Sequence, residues 1–214
     1  MKSTLFNMVA VLFTITLIAS AGVGAVNMIT VEPIAAAKAA ATQQALGQVL
    51  PAFDVTEQTE LTIDEMPIVV YTAKSGDAVV GYAVESMTKQ GFSGVVKLMV
   101  GFLPDGTVNN INVLQQAETP GLGTKMCDEG NPLIASIQHR KLDKQLAVKK
   151  DGGDVDALTA ATISSRAYVD AVNRAWVAMT SVVSGSEPMD VVSGATPAAA
   201  EQTEPEAQKG GQNE

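Results

Sequence analysis

The chain has 214 residues, of which 46% are hydrophobic, and a formal net charge of −9. This length allows one domain of ordinary size with extensions. Cys127 is the only cysteine and His139 the only histidine, which excludes an intramolecular disulfide and argues against a zinc cluster. The sequence shows no basic patch, so we expect no nucleic-acid binding.

The N-terminal segment is predicted to enter a membrane. Residues 5–26 contain no charged side chain, and as a helix they would extend about 33 Å, enough to cross a hydrocarbon core of about 30 Å. We therefore expect a retained transmembrane anchor at residues 1–27. A cleaved signal peptide is the alternative, since Ala19-Ser20-Ala21 resembles a signal-peptidase site. Lys2 and the terminal amine, the only positive charges before this segment, predict an N-terminus on the inside and the remaining chain outside, in the periplasm.

The middle of the chain is predicted to start with a helix and continue as a sheet. Residues 28–66 are expected to form a helical stalk and linker, with an Ala-rich helix from Pro33 to Leu50 that Pro51 stops. A domain is expected over 67–183. Alternating apolar residues and turn signals predict four strands in hairpins and a fifth later on, at 67–74, 78–88, 95–103, 108–115 and 145–149.

Helices complete the predicted domain. A short helix is expected over 131–140 and a long one from near Ile163. The long helix places apolar residues on one face: Val169, Val172, Trp176, Met179 and Val183. Strands in hairpins followed by helices predict an α+β fold with an antiparallel sheet.

The start of the long helix is the first candidate site. It would place the Thr162 hydroxyl beside unpaired backbone N–H groups at the positive end of the helix, where a phosphate group is favoured. Ordinary capping of the helix by Ser or Thr is the alternative explanation.

Residues 184–214 differ from the rest in composition. They hold six acidic residues against one base, Lys209, and almost no aromatic side chains. Such a segment buries too little apolar surface to offset ordering, so we expect a disordered acidic tail.

Three motifs, in this order behind a single anchor, carry a resemblance to a known family. They are GFSG at 91–94, followed by KLMVG at 97–101, then ETPGLG at 118–123, and DALTAATISS at 156–165. Taken alone, the first is also typical of a plain hairpin and the second of a Pro-Gly turn. Together they closely resemble the G subunit of the Rnf electron-transport complex and, more distantly, the C subunit of the sodium-pumping NADH:quinone reductase. The resemblance covers residues 1–183.

The resemblance implies a covalently bound flavin mononucleotide (FMN). In the family a flavin transferase recognises Asp-x-x-(Ser/Thr)-Gly-Ala-Thr and joins the FMN phosphate to the last Thr. Asp156, Thr159 and Thr162 match this pattern, while Ala160 stands in place of the usual Gly and would restrict a backbone conformation with positive φ. A second match ends at Thr196 in the tail and is either a chance product of composition or a second flavin tether.

The resemblance also implies which residues contact the cofactor. The ETPGLG loop is expected near the isoalloxazine ring, where glycines allow close backbone approach and Leu122 covers an apolar face. The cofactor-binding residues implied in this way are Glu118, Thr119, Gly121, Leu122, Gly123, Thr159, Ala160, Ala161, Thr162 and Ile163. No catalytic residue and no metal ligand is expected.

The function implied is that of a membrane-anchored redox subunit. It would carry electrons in a complex that couples ferredoxin oxidation and NAD reduction to ion translocation. The chain has no dinucleotide-binding Gly-x-Gly-x-x-Gly motif and no cysteine set for an iron–sulfur cluster, so those steps would belong to other subunits of an Rnf-type complex. The alternatives are the C subunit of a sodium-pumping quinone reductase, a hydrolase with a Ser or Thr nucleophile and His139 as base, and an anchored interaction or sensory domain.

Overall fold

The computed structural model describes residues 5–191. The predicted disorder beyond residue 191 and the second transferase motif, which ends at Thr196, lie outside this range.

The first element is one helix, α1, over Leu5–Val49, with 45 residues. It passes through Pro33 without a break, so the helix expected over 33–50 is present but forms the last part of α1 and does not begin at that proline. The apolar side chains of its first half are not buried against protein, and the helix is long and apolar enough to cross a membrane. A signal sequence near an N-terminus can also be this long and apolar. This helix suggests a membrane anchor.

Five strands form a single antiparallel sheet in the order in which they occur along the chain. Their bounds are β1 Val55–Ile63, β2 Met66–Ser75, β3 Ala78–Gly91, β4 Gly94–Phe102 and β5 Val108–Gln115. The α+β class and the strands β2 to β5 are confirmed. β1 was not expected, because its sequence is polar and it lies in the segment assigned to stalk and linker. It pairs with β2 along its whole length.

The long C-terminal helix, α3 at Thr162–Ser184, packs on one face of the sheet. Four of its five expected apolar residues are buried, and only Val183 is exposed. From the sheet, alternate β4 residues such as Leu98, Val100 and Phe102 complete this core. The buried Ser86 hydroxyl also donates to the Ala171 carbonyl at 2.8 Å, which ties β3 to α3.

The opposite face of the sheet is covered by the last turn of α1. Leu46 and Val49 are fully buried there in a small cluster with Met99. β5 supplies polar support, because the Asn109 amide donates to the Val49 carbonyl at 2.8 Å and the Asn110 amide to the Gln48 carbonyl at 3.0 Å. These bonds satisfy carbonyls that have no partner within the helix. They also explain the imperfect apolar alternation of β5.

Two expectations between β5 and α3 need correction. The predicted strand at 145–149 is absent, because the Asn173 side chain accepts from the Leu146 N–H at 2.7 Å and donates to its carbonyl at 2.9 Å, in place of a neighbouring strand. The helix expected over 131–140 is reduced to α2, Pro132–Ala135. It cannot continue to residue 140, because His139 has φ +60° and donates its N–H to the Val108 carbonyl of β5.

Candidate functional site

A cavity of about 330 Å³ opens where the three sequence motifs meet. This volume is within the range of pockets that hold small organic ligands. Its lining is uncharged and mostly apolar: Phe92, Thr119, Leu122, Gly123, Ala160, Ala161, Thr162, Ile163 and Ser164. The fold therefore brings residues as distant in sequence as Phe92 and Ser164 together in one site.

Thr162 lies at the edge of this cavity as the first residue of α3. The N-cap position belongs to Ala161, whose side chain makes no capping bond, so the ordinary capping role proposed for Thr162 is wrong. The first intrahelical bond runs from the Ser165 N–H to the Ala161 carbonyl at 3.0 Å. The N–H groups of Thr162 and Ile163 precede it, so they belong to the unpaired donors of the first turn and contribute to its positive potential.

The backbone just before Thr162 has an unusual conformation. Ala160 has φ +59°, in the left-handed region. An alanine pays about 1–2 kcal/mol for this conformation, whereas a glycine adopts it freely. Ala160 is the residue that departs from the transferase pattern. The usual glycine at this position would adopt the same positive φ without strain.

Glu118 connects all three motifs from beneath the cavity. Its side chain is buried, with 3% of the residue exposed. One carboxylate oxygen accepts from the Ser93 N–H at 3.1 Å, and the other accepts from the Ser164 hydroxyl. Glu118 is thus placed to position the surrounding loops.

Two glycines make room for this carboxylate. A Cβ atom at Gly91 would lie 2.7 Å from a Glu118 oxygen, and one at Gly123 would lie 2.6 Å from the Ser164 hydroxyl oxygen. Both distances are shorter than side-chain packing permits. Gly123 was expected to allow approach to a flat ring. In the structure it lines the cavity and also leaves space for the Glu118–Ser164 contact.

A short 3₁₀ turn, Lys149–Asp151, lies beside the N-terminus of α3. The Lys150 ammonium group donates to the Thr162 hydroxyl oxygen at 3.1 Å. Lys149 pairs with Asp156 at 2.6 Å, and Asp151 accepts two hydrogen bonds from Arg166 at 2.9 and 2.7 Å. The hydrogen bond from Arg166 holds the pKa of the Asp151 carboxyl below its usual value.

The structure places the sequence-predicted residues in three positions. Seven line the cavity: Thr119, Leu122, Gly123, Ala160, Ala161, Thr162 and Ile163. Glu118 is buried behind the lining, while Thr159 and Gly121 are exposed and outside it. Phe92 and Ser164 also line the cavity and were missed as site residues, although both lie inside the quoted motifs. No local signal pointed to Lys150, because its contact with Thr162 depends on the turn between them.

Hydrolytic and metal chemistry find no support within residues 5–191. His139 is exposed and is not part of the lining that includes Thr162. No group of three or more His, Cys, Asp or Glu residues in this described range is arranged to hold a metal ion. Cys127 is exposed.

Comparison with known proteins places this site in a family. Residues 91–177 match the family model described as FMN-binding domain. The chain is 34% identical over 189 residues to the G subunit of the ion-translocating oxidoreductase complex of Shewanella baltica, covering 82% of this chain and 89% of that protein. The chain belongs to this G-subunit family.

Other G subunits of ion-translocating oxidoreductase complexes support the same conclusion. The one from Shewanella loihica is 32% identical, over 81% of this chain and 89% of its own length. The one from Escherichia coli K12 is 43% identical over 110 residues, 50% of this chain and 53% of its own length. The FMN-binding match begins at Gly91 and includes the cavity-lining residues.

The residues at this G-subunit site fit the two ends of an FMN molecule. The open N-terminus of α3 and the Lys150 ammonium group suit the anionic phosphate. Phe92 and Leu122 offer apolar surface for a flat ring, and both are partly exposed, at 54% and 39%. Each of the three acidic residues that shortly precede Thr162 is paired with a lysine or arginine: Asp151, Asp154 and Asp156.

Proposed function

We propose that this chain is the flavoprotein subunit of an ion-translocating electron-transport complex, with FMN joined covalently to Thr162. The observation that carries the proposal is the convergence of the three motifs on one cavity beside the Thr162 hydroxyl. Family membership supports the assignment to a complex with other subunits, because the relatives are named as subunits of ion-translocating oxidoreductases. These names favour the G-subunit assignment over the C-type alternative.

Bound FMN would supply electron-transfer chemistry at its isoalloxazine ring. The chain's own residues would do the rest. Thr162 holds the phosphate through its hydroxyl oxygen, and the first turn of α3 offsets the negative charge. Phe92 and Leu122 line the apolar part of the cavity, and Glu118 fixes the loops around it.

A flavin transferase is expected to make the covalent bond. The reaction needs an FMN donor with a phosphoanhydride leaving group, such as a flavin dinucleotide. The Thr162 oxygen forms a bond to phosphorus while the anhydride bond breaks, a nucleoside monophosphate leaves, and the hydroxyl proton passes to a base. We expect the transferase to supply that base, because none of the residues within 5–191 that line this cavity carries an imidazole or a carboxylate.

The proposal is tested by measuring intact mass and mapping peptides after co-production of the full chain with its flavin transferase. We expect an added mass of one FMN less one water on the peptide that contains Thr162. The mass should be absent from Thr162→Ala, and Thr162→Ser should retain at least part of it because the hydroxyl remains. Thr196→Ala is the control for the second motif and should be modified like the wild type.

Two outcomes would contradict the proposal. Modification that survives Thr162→Ala and disappears in Thr196→Ala would assign the flavin to the tail. If no variant and no wild-type protein gains mass, covalent attachment of FMN is excluded. The chain would then be an anchored domain with a non-covalent or different ligand.

We also propose that the FMN-binding domain is extracytoplasmic and that the remaining redox partners, of the ferredoxin:NAD oxidoreductase type, lie in other subunits. Cys127 offers a direct probe of orientation because it is the only cysteine and is exposed. Burial of part of the thiol, with Asp128 nearby, raises its pKa, so labelling near neutral pH is slow and needs a long incubation. A membrane-impermeant maleimide should label Cys127 in spheroplasts without lysis; labelling that requires lysis would reverse the orientation.

A further inference from the structure

We propose that Lys150 is a positioning residue for flavin attachment at Thr162, and that the Lys149–Asp151 turn exists to present it. This inference rests on the proposed function of Thr162 and extends it to a residue outside the transferase recognition pattern. In the structure the Lys150 ammonium nitrogen lies 3.1 Å from the Thr162 hydroxyl oxygen.

The contact is directed by the fold. The three residues of the turn each pair with a different position of the segment that contains Thr162, namely Lys149 with Asp156, Lys150 with Thr162 and Asp151 with Arg166. The two flanking ion pairs hold the turn against the helix start and leave the middle lysine at the hydroxyl. A flexible surface lysine loses side-chain entropy when it is held in this way.

The turn also depends on its two following glycines. Gly152 ends it with φ +82°, a conformation that glycine adopts without strain. At Gly153 a Cβ atom would lie 2.0 Å from the Ala147 carbonyl oxygen, so the chain passes its neighbour at a distance that only glycine permits. The Gly-Gly pair therefore fixes the backbone path that brings Lys150 into contact with Thr162, twelve residues later in the chain.

The chemistry of the contact changes during attachment. Before the reaction the ammonium group donates to the Thr162 oxygen and restricts the orientation of the hydroxyl. When the oxygen bonds to phosphorus, the hydroxyl proton is lost and the phosphodiester carries one negative charge. The Lys150 ammonium nitrogen, 3.1 Å from that oxygen in the structure, then lies beside this charge. A charge-assisted hydrogen bond of this kind is stronger than a neutral one.

The experiment compares initial rates of flavin attachment by intact mass, using the full-length wild type and variants co-produced with the transferase. Lys150→Met is expected to lower the rate about threefold to fivefold, the upper range for a solvent-exposed charged contact. Lys150→Arg should recover most of the rate because it keeps the charge and the donor. Lys144→Met is the matched control, since it removes the same charge from an exposed position near the turn, and it should load like the wild type.

The thermal midpoint of each unmodified variant is measured in detergent to detect misfolding. A Lys150→Met protein with an unchanged midpoint, slow loading and rescue by arginine supports the inference. Loading of Lys150→Met at the rate of Lys144→Met overturns it, and so does loss of rate that arginine fails to rescue in folded protein. If Lys150→Met lowers the midpoint, Lys150→Gln is measured in its place and judged by the same two criteria. Failure of the wild type to load at Thr162 instead contradicts the proposed function itself.

Discussion

One face of the sheet packs against α3 and the other against the last turn of α1, and the two contacts are built differently. On the α3 face large side chains such as Phe102 and Tyr168 fill a continuous core. On the α1 face the backbones approach closely, and a Cβ atom at Gly101 would lie 2.0 Å from the Val49 carbonyl oxygen. The larger core supports the helix that begins at the cavity. The smaller contact depends on glycine and on asparagine bonds to helix carbonyls.

Adjacent residues of β4 provide the strongest test of this difference, because Leu98 and Met99 are both fully buried but on opposite faces. Leu98→Ala is expected to lower the free energy of unfolding by about 3 kcal/mol. Met99→Ala should act first on the docking of the α1 end, since that cluster is small. Hydrogen exchange should then show loss of amide protection at 45–50 in Met99→Ala and a sheet-wide loss in Leu98→Ala. Identical exchange patterns in the two variants would mean that the faces form one cooperative unit.

A smaller effect is expected at the start of α3. Ala160→Gly should raise the free energy of unfolding by about 0.5–1 kcal/mol, because it relieves the positive φ but adds flexibility to the unfolded chain. It should also increase the rate of flavin attachment. Ala167→Gly, inside the same helix, is the control and should lower stability by about 1 kcal/mol. Urea unfolding in detergent measures both, and a loss of stability in Ala160→Gly would contradict the strain argument.

The smallest effect concerns the ion pair that holds the Lys149–Asp151 turn. The pKa of Asp151 is lowered in the folded protein, so the pair contributes stability above the unfolded pKa of about 3.9 and loses it as the pH falls through the folded value. Asp151→Asn should lower the free energy of unfolding by about 0.5 kcal/mol at pH 7. The difference from the wild type should shrink towards pH 3. If the difference in unfolding free energy between Asp151→Asn and the wild type grows on acidification, the predicted direction of the pH dependence is wrong.

Local pattern was enough to predict much of the fold. Strands β2 to β5 show alternation and turn signals, and the buried face of α3 follows its apolar spacing. The left-handed conformation at Ala160 was also anticipated, because the family pattern has glycine there. β1 was missed because an edge strand with a polar sequence lacks the apolar signal.

Features that depend on contacts between residues far apart in the chain could not be predicted from the sequence. The predicted strand at 145–149 failed because Asn173, 27 residues away, supplies the hydrogen bonds of Leu146. The role of Gly123 beside Glu118 and Ser164 depends on packing between loops. Lys150 could be identified only once the turn and the helix start were placed together.

The consecutive strand order of the sheet has a consequence for the order of folding. Each strand pairs with its neighbour in sequence, so the hairpins close short loops and form early. The bonds that tie α3 to the rest of the domain span much longer stretches, 85 residues from Ser86 to Ala171 and 46 from Glu118 to Ser164. The pocket is therefore finished only after the C-terminal helix has been synthesised and docked. Under the proposed function, attachment of FMN to Thr162 would therefore be a late event, because a nascent or truncated chain would present this threonine without the cavity that receives the ring.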